Sequence, residues 1–329
     1  MLILSRSEIL SVFSMRDAIE ADKRAFILHS QGKCRVPLRI NFDAAEGRGQ
    51  YLFMPAYAGG IERAGIKIVS VFPGNGARGI PVVPATVILL DGETGEVAAL
   101  IEGTTLTQMR TAAIAGAATE LLSRPESSVG ALFGTGGQAP AQLEAILTVR
   151  NLKEVRVFDV ASERVRAFVE ANASLAGRFG TRLVAARSSD EAVDGADVIT
   201  AVTTSARPVF DGGRVKPGAH INGIGAYTPA MEELPPEVLE RAGRVYVDNR
   251  EAVLAEAGDL MTPIREGRFG EEIIAGELGQ LLLGEIDGRR NDEEITVMKT
   301  VGFATLDVVT AYEIVAKAEA AGVGSRISL

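Results

Sequence analysis

The sequence predicts an α/β protein in two parts. Residues 116–305 read as a parallel-sheet domain, and residues 1–115 as an α+β domain that the C-terminal stretch 306–329 rejoins. Three observations carry this. Residues 50–102 fall into strand-length apolar runs separated by Gly- and Pro-containing turns, the pattern of an antiparallel meander. From Thr104 the rhythm changes to strand, helix, strand, which implies a parallel sheet with right-handed crossovers. One of those strands runs directly into Gly134-Thr135-Gly136-Gly137-Gln138-Ala139, a glycine-rich turn that opens a helix.

In chain order, a first helix spans about Arg16–Ser30. Strands follow at Gln50–Met54, Gly65–Phe72, Val82–Asp91 and Glu96–Glu102, with turns at Tyr57–Gly60, Pro73–Gly76 and Asp91–Gly95. Thr104 or Thr105 is placed to cap a helix that runs to about Leu122 and stops before Pro125. The second half then alternates strand Val129–Phe133, helix Gln138–Val149, strand Val155–Asp159 and helix Ser162–Ala173. Short buried strands are expected at Leu183–Ala185, Val198–Ala201, His220–Ile224 and Val245–Val247. A last helix, about Leu306–Ala321, is expected to pack back on the first domain.

Composition narrows the function. The 329 residues carry 34 Lys and Arg against 43 Asp and Glu, a net charge of −9, which argues against a nucleic-acid surface. With 47% hydrophobic and 23% charged residues the chain reads as globular. No apolar run approaches the roughly 18–20 residues of a membrane span. The first 14 residues lack a signal-peptide layout, so a cytoplasmic location is expected. The single cysteine, Cys34, excludes an intrachain disulfide and a cysteine-rich zinc site. With only His29 and His220 besides, both expected to be structural, no metal is anticipated.

The glycine turn fits G-x-G-x-x-A. Gly134 allows the tight turn, Gly136 lets backbone N–H groups approach a pyrophosphate, and Ala139 allows close helix–strand packing. Asp159, 25 residues after Gly134 at the end of the next strand, is placed to accept the adenosine ribose hydroxyls. A carboxylate there repels a 2′-phosphate, so NAD(H) is favoured over NADP(H), with Arg164 and Arg166 near enough to accommodate the latter.

Three basic residues lie where solvated ones do not belong. Lys67 interrupts the apolar strand Gly65–Phe72, where burial lowers a lysine pKa and makes it a proton donor or acceptor. Arg110 shares a helix face with Leu106, Ile114, Ala117 and Leu121, and needs an anion or a route to water. Arg39 precedes the meander. Each alone reads more readily as a solvated strand edge or a structural ion pair. Beside a dinucleotide site, the Arg–Lys pair suggests a clamp for a small carboxylate such as an amino or imino acid.

The segments Arg35–Arg39, Met54-Pro55, Gly65–Lys67, Pro73–Asn75, Thr107–Ala113, Gly134–Ala139, Ala196–Val198, His220–Gly225 and Thr296–Gly302 resemble the ornithine cyclodeaminase/mu-crystallin family over essentially the whole chain. The resemblance implies a homodimer whose N-terminal strands pair across the interface, with a Rossmann-type domain on each subunit. It implies that Arg39, Lys67 and Arg110 hold the substrate carboxylate near the nicotinamide. It also implies cofactor contacts at Gly137, Gln138, Asp159, Thr203, Asn222, Gly223 and Ile224, with Arg110, Thr300 and Val301 beside nicotinamide and substrate. Cyclodeaminases of the family carry an aspartate after the glycine–alanine step that follows the His220–Ile224 strand. Here Gly225-Ala226-Tyr227-Thr228 puts Tyr227 at that place, and Tyr227 and Thr228 become candidate catalytic residues. A phenol with a pKa of about 10 cannot take a proton from an ammonium as a carboxylate does. The expectation is therefore NAD(P)H-dependent reduction of a preformed cyclic ketimine, Δ1-pyrroline-2-carboxylate or Δ1-piperideine-2-carboxylate, to L-proline or L-pipecolate. The alternatives are ornithine or lysine cyclodeamination, an alanine-type dehydrogenase, or a mu-crystallin-like small-molecule binder.

Overall fold

The computed structural model describes residues 1–328. These divide into two compact units, Met1–Arg110 with the chain from Phe303 onward, and Thr111–Gly302. The chain opens with β1 (Leu2–Leu4), α1 (Arg6–Val12), α2 (Met15–Ser30), β2 (Cys34–Arg35), β3 (Ile40–Asp43), β4 (Gln50–Ala58), β5 (Arg63–Val71), β6 (Ala85–Leu90), β7 (Val97–Glu102) and α3 (Gly103–Leu122). It continues with β8 (Val129–Phe133), α4 (Ala139–Val149), β9 (Glu154–Phe158), α5 (Ser162–Arg178), β10 (Arg182–Ala185), α6 (Ser189–Val193), β11 (Val198–Ala201) and β12 (His220–Gly223). Then come α7 (Pro236–Ala242), β13 (Val245–Val247), α8 (Arg250–Glu256), α9 (Gly258–Arg265), β14 (Ile274–Glu277), α10 (Leu278–Leu282) and β15 (Thr296–Lys299). Finally α11 (Ala304–Ala321) and β16 (Ser325–Arg326) return to the first unit.

In that unit β4 to β7 form the expected antiparallel meander. β1 adds to β7 in parallel and β16 to β1 antiparallel, strands too short for any period to announce them. Along β4 every second residue, Leu52, Met54, Ala56 and Ala58, is buried, and along β5 the buried set is Gly65, Lys67 and Val69. The alternation seats Lys67 on an inner face by period alone. Helix α11 packs on α2, β4 and β5 as anticipated, with the Phe303 ring tilted against His29, centroids 4.8 Å apart.

Two local expectations are corrected. The turn placed at Tyr57–Gly60 starts later, because β4 runs through Pro55 to Ala58. β3 pairs with residues 50–53 of β4 and β2 with residues 57–58, so Pro55 falls in a gap where a missing N–H is least costly. Helix α3 is capped by Glu102 rather than by a threonine. Its two carboxylate oxygens accept the Thr104 and Thr105 N–H groups at 2.9 Å each, while Thr104 Oγ1 accepts the Ala85 N–H. A carboxylate reaches two of the open N–H groups at once and suits the positive end of the helix.

The second unit is an eight-stranded sheet, parallel throughout, in the order β10-β9-β8-β11-β12-β15-β13-β14. Strand order reverses between β8 and β11, so the loops leaving those strands diverge at their C-terminal ends. Open α/β sheets bind ligands in that crevice. β14 and β15 had no place among the expected strands. His220 is fully buried, with Nδ1 3.0 Å from Thr296 Oγ1 and Nε2 3.0 Å from Asn222 Oδ1. Burial, then the charge of Arg289, pushes its pKa down to about 3, so it is a neutral structural residue.

Candidate functional site

Three of the predicted basic residues belong to the first unit, and one carboxylate organises two of them. Asp307, in the first turn of α11, accepts Lys67 Nζ on both oxygens, at 2.8 and 2.7 Å. It accepts Arg110 Nε at 2.8 Å on Oδ1. Lys67 and Asp307 are each 1% exposed and Arg110 is 7% exposed at the side chain. Asp22, from α2, is fully buried and receives one long hydroxyl contact from Thr310. Its other oxygen has no hydrogen-bond partner among the described residues. Burial drives the Asp22 carboxyl well above the usual carboxylate range, though the Arg110 charge opposes this.

Two buried basic side chains, Lys67 and Arg110, thus share the Asp307 carboxylate. A net positive charge in low dielectric is costly unless something outside the chain neutralises it. Lys67 commits two of its three N–H groups to Asp307. Among the described residues, no hydrogen bond uses the terminal nitrogens of Arg110. What remains is a point charge plus a planar fork, which suits a carboxylate. Burial, followed by the Arg110 charge, lowers the Lys67 pKa to about 7; Asp307 holds it up and Arg39 lowers it further. Arg39 lies in the extended segment before β3, partly exposed, where its charge is felt by Lys67.

In the second unit the glycine turn leaves β8 at the reversal of strand order. Gly134 has φ +100°, and its N–H donates to Phe158 O at 2.8 Å. A Cβ there would lie 2.8 Å from Val202 O, so glycine is required twice over. Gly136 and Gly137 are exposed, and a Cβ on Gly136 would meet only open space. Gln138 starts α4 with no side-chain cap, and its Oε1 is buried without a partner among the described residues. An uncapped helix N-terminus behind an open glycine turn fits a dinucleotide pyrophosphate. Asp159 binds this turn: Oδ2 accepts the Thr135 N–H at 3.1 Å and its hydroxyl at 2.8 Å, while Oδ1 accepts the Ala161 N–H at 3.1 Å. Arg164 reaches Asp159 at 3.5 Å, whereas Arg166 pairs with Glu163.

The remaining predicted residues lie in the last two residues of β12 or on the loops beyond the C-terminal ends of β11, β12 and β15. The Thr203 N–H and hydroxyl donate to Glu233, as do the Gly225 and Ala226 N–H groups. Gly223 ends β12 and Ile224 is buried. Tyr227 is half-buried with its ring against the sheet core, and the Thr228 carbonyl accepts the Met231 N–H at 3.1 Å. Thr300 and Val301 are buried over Asp248, which accepts the Thr300 hydroxyl, the Val301 N–H at 3.3 Å and the Gly302 N–H at 2.7 Å. Asn222 lies within β12. Its side chain is spent inside the fold, bonded to His220, Thr119 and Thr200.

Sequence reasoning missed Asp307, Asp248 and Glu233, the buried carboxylates that hold the predicted residues in place. A signal existed: Asp307 stands inside Leu306–Val309 and Asp248 directly follows Val245–Val247, acids within apolar runs.

A Delta(1)-pyrroline-2-carboxylate reductase of Bacillus cereus is 37% identical over 327 residues, covering 99% of each chain. The structure of the Thermococcus litoralis Delta(1)-pyrroline-2-carboxylate reductase in complex with NADH and L-proline superposes with a TM-score of 0.94 at 37% identity, covering 99% of this chain and all of that one. An archaeal alanine dehydrogenase dimer with bound NAD superposes with a TM-score of 0.91 at 35% identity, over 100% of this chain and 99% of that one. The model of the ornithine cyclodeaminase/mu-crystallin family matches residues 1–322, and the chain belongs to that family.

Proposed function

We propose that the chain is an NAD(H)-dependent ketimine reductase that converts Δ1-pyrroline-2-carboxylate or Δ1-piperideine-2-carboxylate to L-proline or L-pipecolate. The observation that carries the reading is the excess positive charge of the Lys67–Arg110–Asp307 cluster in a chain that also presents a dinucleotide turn. The names of the bacterial and archaeal relatives support the choice of imine.

Arg110 and Lys67 bind the substrate carboxylate, and Arg39 adds to the field that draws it in. Lys67, with a pKa of about 7, holds a proton it can release at neutral pH, and passes it directly or through water to the ring nitrogen. NADH, when bound, supplies the hydride that the imine carbon accepts. The C=N π electrons take up the Lys67 proton at nitrogen, giving the secondary amine. Gly134, Gly136, Gly137 and Gln138 hold the pyrophosphate and Asp159 the ribose. Thr203, the backbone of Gly223–Ile224, Thr300 and Val301 form the ledges beyond the strands. Tyr227 and Thr228, on the loop after β12, stand as the further candidate catalytic residues.

Cyclodeamination is disfavoured at Tyr227, because no carboxylate stands there to deprotonate an ammonium. Purified protein is expected to oxidise NADH with one or both imines and to release no ammonia from L-ornithine. Failure to oxidise NADH or NADPH with either imine would refute the proposal.

Cofactor choice gives a separate prediction. Asp159→Ser should weaken NADH about tenfold or more, since a charge-assisted hydrogen bond contributes roughly 1.5–3 kcal/mol. It should also improve NADPH relative to NADH, by removing the repulsion and releasing Arg164 for the 2′-phosphate. Titration of both cofactors checks this, and a wild-type preference for NADPH would overturn it.

A homodimer in the cytoplasm belongs to the same proposal. Exposed apolar side chains at Leu38, Ile40, Phe42, Tyr51, Ile80 and Val82 support self-association, as does the dimeric archaeal relative. A single cysteine, with no disulfide to maintain, suits a reducing compartment.

A further inference from the structure

Resting on the dinucleotide reading above, we infer that Glu233 is a positioning residue. Its carboxylate ties the loop after β11 to the loop after β12, and so fixes the ledge that meets the nicotinamide end of the dinucleotide. The pairing of β11 with β12 ends at Ala201 and Gly223, apart from one further bond from the Ile224 N–H to Ala201 O. Beyond it the N–H groups of Thr203, Gly225 and Ala226 have no strand ladder to join. Glu233 replaces the ladder. Oε2 accepts the Thr203 N–H at 2.8 Å and the Thr203 hydroxyl at 3.1 Å; Oε1 accepts the Gly225 N–H and, at 3.2 Å, the Ala226 N–H. Four donors from two loops fill the lone pairs of one carboxylate.

The carboxylate is itself held from beneath. Lys299, at the end of β15, places Nζ 3.8 Å from Glu233 Oε1 and 2.7 Å from Asp259 Oδ2. Asp259 Oδ1 accepts the backbone N–H groups of Glu233 at 2.6 Å and Leu234 at 2.9 Å. All three side chains are buried. A buried ion cluster is an expensive way to join two loops. It is explained if the loops must hold one shape outside the strand ends, where ligands of such sheets bind. The approach is close enough to need a glycine: a Cβ on Gly225 would lie 2.0 Å from Thr203 O and 2.2 Å from Thr203 N. Nor can glutamine stand in for Glu233. Whichever way its amide turns, the NH2 faces backbone N–H donors.

The test compares NADH with ADP-ribose, which shares the adenosine and pyrophosphate but lacks nicotinamide. Wild type, Glu233→Gln and Gly225→Ala are titrated calorimetrically with each ligand, and thermal melting verifies folding. Wild type should bind NADH more tightly than ADP-ribose. In Glu233→Gln the NADH affinity should fall about tenfold or more, as expected for lost charged hydrogen bonds, with ADP-ribose changed by less than about twofold. Gly225→Ala keeps the carboxylate but forces the loops apart, and should give the same signature. Equal loss of both ligands, or no loss of NADH, overturns the inference. So does failure of both variants to fold, because a residue that only shapes one ledge is not needed for folding. Wild type that binds neither ligand would defeat the dinucleotide reading itself. Wild type that binds both equally would defeat the inference alone.

Discussion

Replacing Asp307 with asparagine is expected to lower kcat/KM for the cyclic imine by about 10²–10⁴-fold, the range typical of a lost acid–base group. It should also lower stability by roughly 3–5 kcal/mol, as breaking a buried ion pair does. The shape of the side chain is preserved, so both losses are electrostatic. Lys67 and Arg110 would lose the carboxylate that both of them bind. The asparagine amide would turn N–H groups toward one of them. The Asp307 charge is also what holds the Lys67 pKa up against burial and against Arg110. Without it Lys67 gives up its proton below neutral pH, and nothing remains to protonate the imine nitrogen. Thermal melting and steady-state kinetics check the two losses separately, and wild-type values in both would contradict the assignment of Asp307.

Lys67→Met should dissociate the two effects. It removes one of the two cations and leaves Arg110 paired with Asp307, a balanced couple, and fills the space with an apolar chain of similar length. Substitutions of this kind in buried ion clusters are neutral or stabilising. The variant should therefore melt no lower than wild type, yet lose about 10²–10⁴-fold in kcat for lack of a proton donor. The pH dependence follows with a defined sign. In wild type Lys67 must be protonated to act, so kcat/KM for reduction should fall as pH rises through about 7. Asp307→Asn should move that break to lower pH, and Lys67→Met should erase it. Stability runs the other way. The folded pKa of about 7 lies below the ordinary 10.5, so between those values the unfolded chain binds the extra proton. Wild-type stability should rise with pH across that window, and the Lys67→Met variant should lack the rise.

The parts of this site that were legible in the sequence are those with a local signature. Lys67 stands out because period-2 burial leaves a strand residue no choice of face, and Gly134 because its turn lies between a strand and a helix. The C-terminal helix was visible by its apolar content, as was its return to the meander. Asp307 was marked only as an acid inside an apolar run, and its role was hidden, since an acid in the first turn of a helix reads as an ordinary favourable charge near the dipole. Its role arises from bonds to residues 240 and 197 positions away. Glu233 and Asp248 are similar: each binds backbone N–H groups of loops, and no residue pattern marks which loops converge. Among the strands, β1 is three residues long and β14 carries Gly276 at φ +152°, so neither shows a usable period. The strand expected at Gln50–Met54 runs on to Ala58, because its pairing with β5 continues past Pro55.

The central claim is that the excess positive charge at Lys67 and Arg110 exists for the carboxylate of a cyclic imine. The most direct test compares kcat/KM for Δ1-pyrroline-2-carboxylate with that for Δ1-pyrroline, the same ring without the carboxylate, under NADH. Two charged hydrogen bonds at roughly 1.5–3 kcal/mol each predict a preference of about 10²–10⁴-fold for the carboxylated ring. Comparable rates on the two rings would contradict the account.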